Sequence, residues 1–364
     1  MAESKRLLSL DSFRGFTIAA MIMVNYPGSW SHVYSPFLHA DWHGLTPTDV
    51  IFPFFIFIVG ISVALAYSKR LKAGVPKKIL HKKIVFRALK IFLIGILLWL
   101  FPKFDFENIR YVGVLQRIAI VFLVSALLYL NSNWKTQAII AGILLLGYWL
   151  AMVLIPTPGF GKPMLEPGAN LAAFIDSKLL PGHMWKKTWD PEGLFSTIPA
   201  IASGITGLLA GHIILSKFTP ERKVIHLFLF GFLAFIAGYM WNYVFPINKS
   251  LWSSSFVMVT SGLAALVLVA IVFFVDIRGH TRGTKTGVIF GSNAIAVYVL
   301  ADVWGQFFYN IKYFGSSLNV HFMGIFEAEG WNMKFGSLMF AALFICFNFL
   351  PAWILYRNKI FIKL

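Results

Sequence analysis

Long apolar runs broken by short polar connections repeat along the chain, with little of the every-second-residue alternation that marks a half-exposed strand. Stretches such as IFLIGILLWLF (91–101) and AALVLVAIVFFV (264–275) are apolar on every side. That suits a helix in lipid, whereas a barrel strand would alternate. A helix needs about 20 apolar residues to cross a bilayer. By that measure the pattern predicts ten spans, at 13–29, 47–67, 84–101, 112–131, 136–156, 194–215, 224–245, 252–275, 286–305 and 336–356. The expected fold is an all-α polytopic membrane protein, one transmembrane domain over 1–364 and a single helical bundle. No internal repeat or low-complexity linker divides it. Between the fifth and sixth spans, 157–193 is rich in Pro and Gly (Pro163, Pro167, Gly168, Pro181), and its patch NLAAFI predicts a short interfacial helix or lid.

Composition agrees with this pattern. Of 364 residues 58% are hydrophobic and only 13% charged, with a mean hydropathy of +0.73. A soluble domain of this size would carry far more surface charge. The net charge of +17 then reads as membrane topology. Lys69, Arg70, Lys72, Lys77, Lys78, Lys82 and Lys83 follow the second span. Lys135, then Lys217, Arg222 and Lys223, then Arg278, Arg282 and Lys285 follow the fourth, sixth and eighth. Arg357, Lys359 and Lys363 end the chain. These connections are expected to face the cytoplasm, with both termini, and the basic-poor loops to face outward. A nucleic-acid partner would need a basic face on a soluble domain, and none is present. The one cysteine, Cys346, excludes an intrachain disulfide. A first apolar run that follows Lys5 and Arg6 without a small-residue cleavage site is read as a span, not a signal peptide.

Polar residues inside apolar runs carry a desolvation cost, so each needs a local reason. They concentrate between Arg6 and Gly60. Asp11 and Arg14 are three apart and share a helix face, where they can pair. Arg14 reads either as a neutralised helix-start residue or as part of a site for an anionic ligand. Asn25 comes just before Pro27 and Gly28, which end the first helix; it serves as helix glue or opens a cavity. The following loop has no Lys or Arg but holds His32, His39 and His43. The four-residue spacing of His39 and His43 is compatible with a metal pair, yet no set of carboxylates accompanies it, and no metal is expected. A histidine acting as base or nucleophile is the sharper reading, against that of a solvated loop residue. Thr46, Pro47 and Asp49 predict the cap, first position and first turn of the second span. Asp49 is also able to orient a loop imidazole. Arg117 interrupts the fourth span and calls for an acidic partner or an anionic ligand, and Asp302 lies within the ninth. Gly204, Gly207 and Gly211 are expected to be packing positions. No phosphate loop ending in Gly-Lys-Ser/Thr is present. Spacing alone leaves a membrane enzyme and a transporter both open.

The blocks S-L-D-S-F-R-G (9–15), V-N-Y (24–26) and H-A-D-W-H-G-L-T-P-T-D-V-I-F-P-F-F-I-F-I-V-G (39–60) resemble the membrane domain of the heparan-α-glucosaminide N-acetyltransferase family and its bacterial relatives. G-V-L-Q-R-I (113–118), D-P-E-G-L (190–194), I-N-K-S-L-W-S (247–253), G-S-N-A-I-A-V-Y (291–298) and L-Y-R-N-K-I-F (355–361) extend the resemblance over essentially the whole chain. It implies a multi-pass protein of a bacterial inner membrane that moves acetyl from cytosolic acetyl-CoA to the amine of a glucosamine or glucosamine-containing glycan on the outer side. The motif H-x-x-W-x-G places the key histidine at His39, and V-N-Y places its asparagine at Asn25. Asp49 joins them as a candidate orienting acid. Arg14, Gln116 and Arg117 are the candidate contacts for acetyl-CoA, entering from the cytoplasmic side. A homodimer is implied as well. The chain starts next to the first of these spans, so a free amino sugar or cell-envelope glycan is the expected acceptor instead of polymeric heparan. The alternative is an amino-sugar transporter without chemistry, which would account for the spans and buried polar groups equally well.

Overall fold

The structure is a computed structural model that describes residues 7–180 and 182–362; Lys5, Arg6, Pro181 and Lys363, named above, lie outside them. The described residues form helices and irregular connections, with only isolated bridges at Arg110–Gly182 and Tyr313–Ser316 in place of strands. The helices are α1 Leu8–Asn25, α2 Ile51–Lys72, α3 Lys77–Leu100, α4 Val114–Asn131, α5 Trp134–Leu154, α6 Leu171–Leu179 and α7 Thr197–Leu215. They continue as α8 Pro220–Trp241, α9 Ser254–Ile271, α10 Thr284–Ser292, α11 Ala294–Gly305, α12 Leu318–Ala328 and α13 Met333–Arg357.

Each expected span has a helical counterpart among these. Seven helices are long and apolar enough to cross a membrane: α2, α4, α5, α7, α8, α13, and α9 with its π-helical extension to Ile277. The pair α10 and α11, continued to Asn310 by a π-helical turn, is long and apolar enough only when taken together, and its 80° bend at Asn293 makes it a broken span or a re-entrant loop. The two others expected, α1 and α3, are helices of membrane length but more polar. α1 carries Ser9, Asp11, Arg14 and Asn25, and the first half of α3 carries most of the lysines of the α2–α3 connection. The patch NLAAFI falls in α6, which the side chain of Asn170 caps by accepting from Ala173 N at 2.9 Å.

Two compact units divide the chain, without a linker in the sequence to announce them. The first comprises Met1–His39, Thr46–Phe52 and Ala270–Leu364. In it α1 packs on α10 through glycine: a side chain at Gly15 would overlap the carbonyl of Gly287, and one at Gly291 the carbonyl of Asp11. Only small residues permit so close an approach of two helices. At the α10–α11 bend, Asn293 donates from Nδ2 to Ile360 O (3.0 Å) and accepts from Ile362 N (2.8 Å). The break in the helix is thus satisfied by the C-terminal tail.

The second unit comprises Ala40–Leu45 and Pro53–Val269. Gly60 of α2 meets the backbone of Gly204 and Gly207 on α7, while Gly211 packs on Ile61 and Ala64, so these glycines are the packing positions expected. The unit has two unlike ends. The short turns 73–76, 132–133 and 216–219 join α2 to α3, α4 to α5 and α7 to α8 at one end, beside the lysine-rich segments. At the other end lie 101–113, 155–196 with α6, and 242–253, which are longer and carry the buried Arg110, Asp176, Asp190 and Asn248.

Candidate active site

His39 and Asp49 are brought together by the polar turn that precedes α2. The expected helix start at Pro47 is a turn through residue 50, and regular helix begins at Ile51. Asp49 N donates to Thr46 O at 3.0 Å, and Asp49 Oδ2 accepts from both Thr46 N and Thr46 Oγ1, each at 3.0 Å. The Thr46 hydroxyl acts here as a donor within a turn, whereas the expected N-cap side chain would accept from the first N–H groups of a helix starting at Pro47. The bonds from Thr46 leave Asp49 Oδ1 directed at His39 Nδ1, 2.7 Å away. The carboxylate is 1% exposed and the imidazole 47% exposed, so a buried acid fixes a ring that solvent or a ligand can reach. Thr46 Oγ1 to Leu38 O (2.8 Å) and Thr48 Oγ1 to Pro36 O (3.1 Å) tie down the chain just before His39.

Asn25 is the last residue of α1 and partly buried, and its side-chain amide makes no hydrogen bond, to His39 or otherwise, among the described residues. The next residue is firmly held: Tyr26 donates its hydroxyl to Asp302 of α11. Near the start of α1, Arg14 pairs with Asp11 at 3.4 Å, as the three-residue spacing predicts, and donates to Gly291 O at 3.2 Å. The other loop histidines have partners of their own. His32 Nδ1 lies 3.3 Å from Ser29 Oγ, and His43 Nδ1 3.3 Å from Asn248 Nδ2.

The second unit holds a charged cluster at its polar end. Arg110 binds Asp190 through Nε (2.7 Å) and Nη2 (2.5 Å), and reaches Glu192 at 2.6 Å. Its guanidinium lies over the rings of Trp99 and Trp185. Burial would lower the Arg110 pKa, but the bonds to Asp190 and the charges of Glu192 and Asp190 outweigh it and raise the value. For Asp190 burial works upward, and Arg110 with the N–H groups of Trp185 and Glu192 brings it below the ordinary range. Asp176 of α6 is pushed up by burial to about 6, although Phe195 N, Leu194 N and the charge of Arg117 oppose the shift.

Arg117 is fully buried in the first turn of α4. Its Nη2 donates to Gly193 O (3.1 Å) and Ser196 Oγ (2.5 Å), and its guanidinium carbon sits 4.9 Å above the Trp252 ring. Nε and Nη1 have no hydrogen-bond partner among the described residues. Gln116 beside it is buried against Gly95 and Gly113. Both residues therefore lie at the end of the unit opposite the lysine-rich connections, not at the end expected to face the cytoplasm. The physical reason is the helix order: α3 starts at those lysines, and α4 starts where α3 ends.

The structure thus joins His39 with Asp49, and Arg14 with Asp11, without a hydrogen bond linking Asn25 to the imidazole. Arg110, Asp176 and Tyr26 were given no role by their spacing. A signal existed for some: a carboxylate such as Asp302 in an apolar run demands a donor, and Tyr26 supplies it.

The chain is similar to known proteins. The family described as heparan-alpha-glucosaminide N-acetyltransferase, catalytic, matches residues 6–238. The human protein named heparan-alpha-glucosaminide N-acetyltransferase is 30% identical over 361 residues, covering 83% of this chain and 54% of its own length. The mouse protein of the same name is 28% identical over 370 residues, covering 84% of this chain and 55% of its own. The chain spans about half the length of these curated relatives.

Proposed function

Because the chain belongs to the heparan-alpha-glucosaminide N-acetyltransferase catalytic family, we propose that it is a transmembrane acetyltransferase. It moves acetyl from cytosolic acetyl-CoA to the amine of glucosamine, or of a glucosamine-containing glycan, at the outer side of a bacterial inner membrane. The single observation that carries this reading is the 2.7 Å contact between His39 Nδ1 and the buried Asp49 carboxylate. A carboxylate in that position favours the tautomer with the proton on Nδ1, which makes Nε2 the basic atom. In the transfer, the acceptor amine attacks the thioester carbonyl, a C–N bond forms and the C–S bond breaks. Nε2 takes the amine proton and returns one to the departing CoA sulfur. The same nitrogen is also suited to accept the acetyl group first and pass it on. Asn25, whose amide is not engaged elsewhere among the described residues, would donate to the oxyanion that develops on the carbonyl.

Arg14 is the proposed contact for the anionic end of acetyl-CoA, at the end of α1 that the charge pattern turns toward the cytoplasm. Gln116 and Arg117 are the further proposed contacts for acetyl-CoA. The bilayer surrounds the apolar helices, both termini face the cytoplasm, and the protein works as a homodimer in this reading.

Purified protein incubated with acetyl-labelled acetyl-CoA tests it. Release of free CoA that depends on glucosamine, with labelled N-acetylglucosamine formed, is the expected result, and His39→Ala abolishes both. Label retained on the protein without acceptor, and lost in His39→Ala, assigns the stepwise route. Glucosamine uptake into proteoliposomes without acetyl-CoA would identify a transporter instead.

A further inference from the structure

Resting on the role of Asn25 proposed above, we infer that Tyr26 and Asp302 are a positioning pair that fixes Asn25 for the transfer. The need for such a pair begins in the sequence N-Y-P-G at the end of α1. A helix end is usually closed by N–H groups of the following residues, which bond back to the last carbonyls. Here Tyr26 is the C-cap, and the next residue, Pro27, has no N–H to give. The last turn of α1 also lacks a basic residue to complement the helix dipole. An end of this kind frays, and Asn25 is its last residue.

Three side chains and one backbone carbonyl, from four later elements, hold the residues that follow the helix end. The Tyr26 hydroxyl donates to Asp302 Oδ1 on α11. Tyr309, in the π-helical turn Gln306–Asn310, donates to Pro27 O at 2.8 Å. Asn319 of α12 donates to Gly28 O at 3.1 Å, and Gly28 N donates to Ser337 O on α13 at 3.1 Å. The Tyr26 ring is seated as well as bonded: it packs 4.7 Å from the Phe344 ring, and a side chain at Gly305 would strike its edge. Tyr309, Asn319 and Ser337 hold backbone groups beyond the proline, so the Tyr26–Asp302 bond is the tie adjacent to Asn25. It also gives Asp302 a reason to sit in an apolar span. A carboxylate accepts a stronger hydrogen bond than a neutral group, and Tyr26 is its hydrogen-bond partner among the described residues.

Asn25 itself makes no hydrogen bond among the described residues, so its orientation depends on the backbone that Tyr26 holds. Small misplacements of a group that stabilises a transition state lower turnover, whereas cofactor affinity is set elsewhere. That separates a positioning role from a merely structural one.

The test compares Tyr26→Phe, Asp302→Leu and Asp302→Asn in the full-length protein, by kcat, KM for acetyl-CoA, the pH profile and the thermal unfolding midpoint. Tyr26→Phe keeps the ring and removes only the hydroxyl, so it decides the matter even if Asp302→Leu fails to fold. The expected result is a loss in kcat of about ten- to a hundredfold for Tyr26→Phe and Asp302→Leu, with KM for acetyl-CoA unchanged. The double variant is no worse than either single one. Asp302→Asn, which still accepts the bond, recovers most of the loss, and the pH profile keeps its shape. In an Asn25→Ala background Tyr26→Phe adds nothing. Three results overturn the inference: wild-type turnover in Tyr26→Phe, additive losses with Asn25→Ala, or an Asp302→Asn variant as slow as Asp302→Leu with a displaced pH profile. The last would make Asp302 a proton carrier. Full activity in Asn25→Ala would overturn the assignment of Asn25 first. Inactive Asn25→Ala beside active Tyr26→Phe would remove only the positioning pair.

Discussion

The His39–Asp49 pair and the Arg110–Asp190–Glu192 cluster are both short contacts to carboxylates in polar loops, yet they are built to opposite ends. In the cluster both sides are buried: the Arg110 side chain is 10% exposed and that of Asp190 0%. Asp190 also accepts from the N–H groups of Trp185 and Glu192. Every strong bond is spent inside the loops, which suits the fastening of 101–113 to 182–193. In the pair only the acid is buried, and the imidazole is half exposed. A buried carboxylate beside a reachable ring is the geometry by which an acid orients an imidazole. The difference teaches that burial of both partners makes a fastening, whereas burial of the acid alone leaves its partner reachable.

Four substitutions sharpen or break this contrast, beginning with the largest effect. His39→Ala should lower glucosamine-dependent CoA release by about a thousandfold with an unchanged unfolding midpoint. A large loss of stability would place His39 on the structural side. Arg110→Ala should do the reverse. The buried Asp190 and the partly buried Glu192 lose their counter-charge, at a cost of about 3–5 kcal/mol, read as a sharp fall in the unfolding midpoint in detergent. Asp49→Asn keeps the shape but not the tautomer. The Thr46 donors hold the amide oxygen where Oδ2 now sits, so the amide N–H₂ turns to His39 and drives the ring proton to the other nitrogen. Turnover should fall by about ten- to a thousandfold while stability changes little, measured by steady-state kinetics beside thermal melts.

The smallest effect concerns the charge count around Arg110. Two arginines, Arg110 and Arg117, face three carboxyls, Asp176, Asp190 and Glu192, and Asp176 is the one held at about 6. Its folded pKa lies above the ordinary 3.8, so the folded state keeps the proton longer than the unfolded chain. Stability from this group is fully present below about pH 4 and is lost as pH rises through about 6. Asp176→Asn still accepts from Phe195 N and should be more stable than wild type at pH 7.5, by up to about 3 kcal/mol. The gain should vanish below about pH 4, and a gain that persists there would mean the charge was not its source.

Much of this was legible along the chain. Apolar runs of span length are visible because lipid tolerates few alternatives, and seven of the expected spans are long apolar helices, while the ninth is broken at Asn293. The Asp11–Arg14 pair follows from helical spacing. Motif resemblance singled out His39 and Asn25. Less legible was anything that depends on residues far apart in sequence. Arg117 looked like a cytoplasmic contact until the order of helices carried it to the other end of its unit. Asp302 looked like an isolated acid until Tyr26 stood beside it.

The sequence by itself determined which apolar segments become long helices and which residue types are costly to bury, since both depend on local composition and period, whereas α12 and the break at Asn293 were not legible. Tertiary structure decided which of those costly residues are paired, and with whom. Arg110 and Asp190 are 80 positions apart, and Tyr26 and Asp302 are 276 apart. No local pattern encodes such distances, because helix packing sets them, and at sites like Gly15 and Gly287 it requires backbones close enough that only glycine fits.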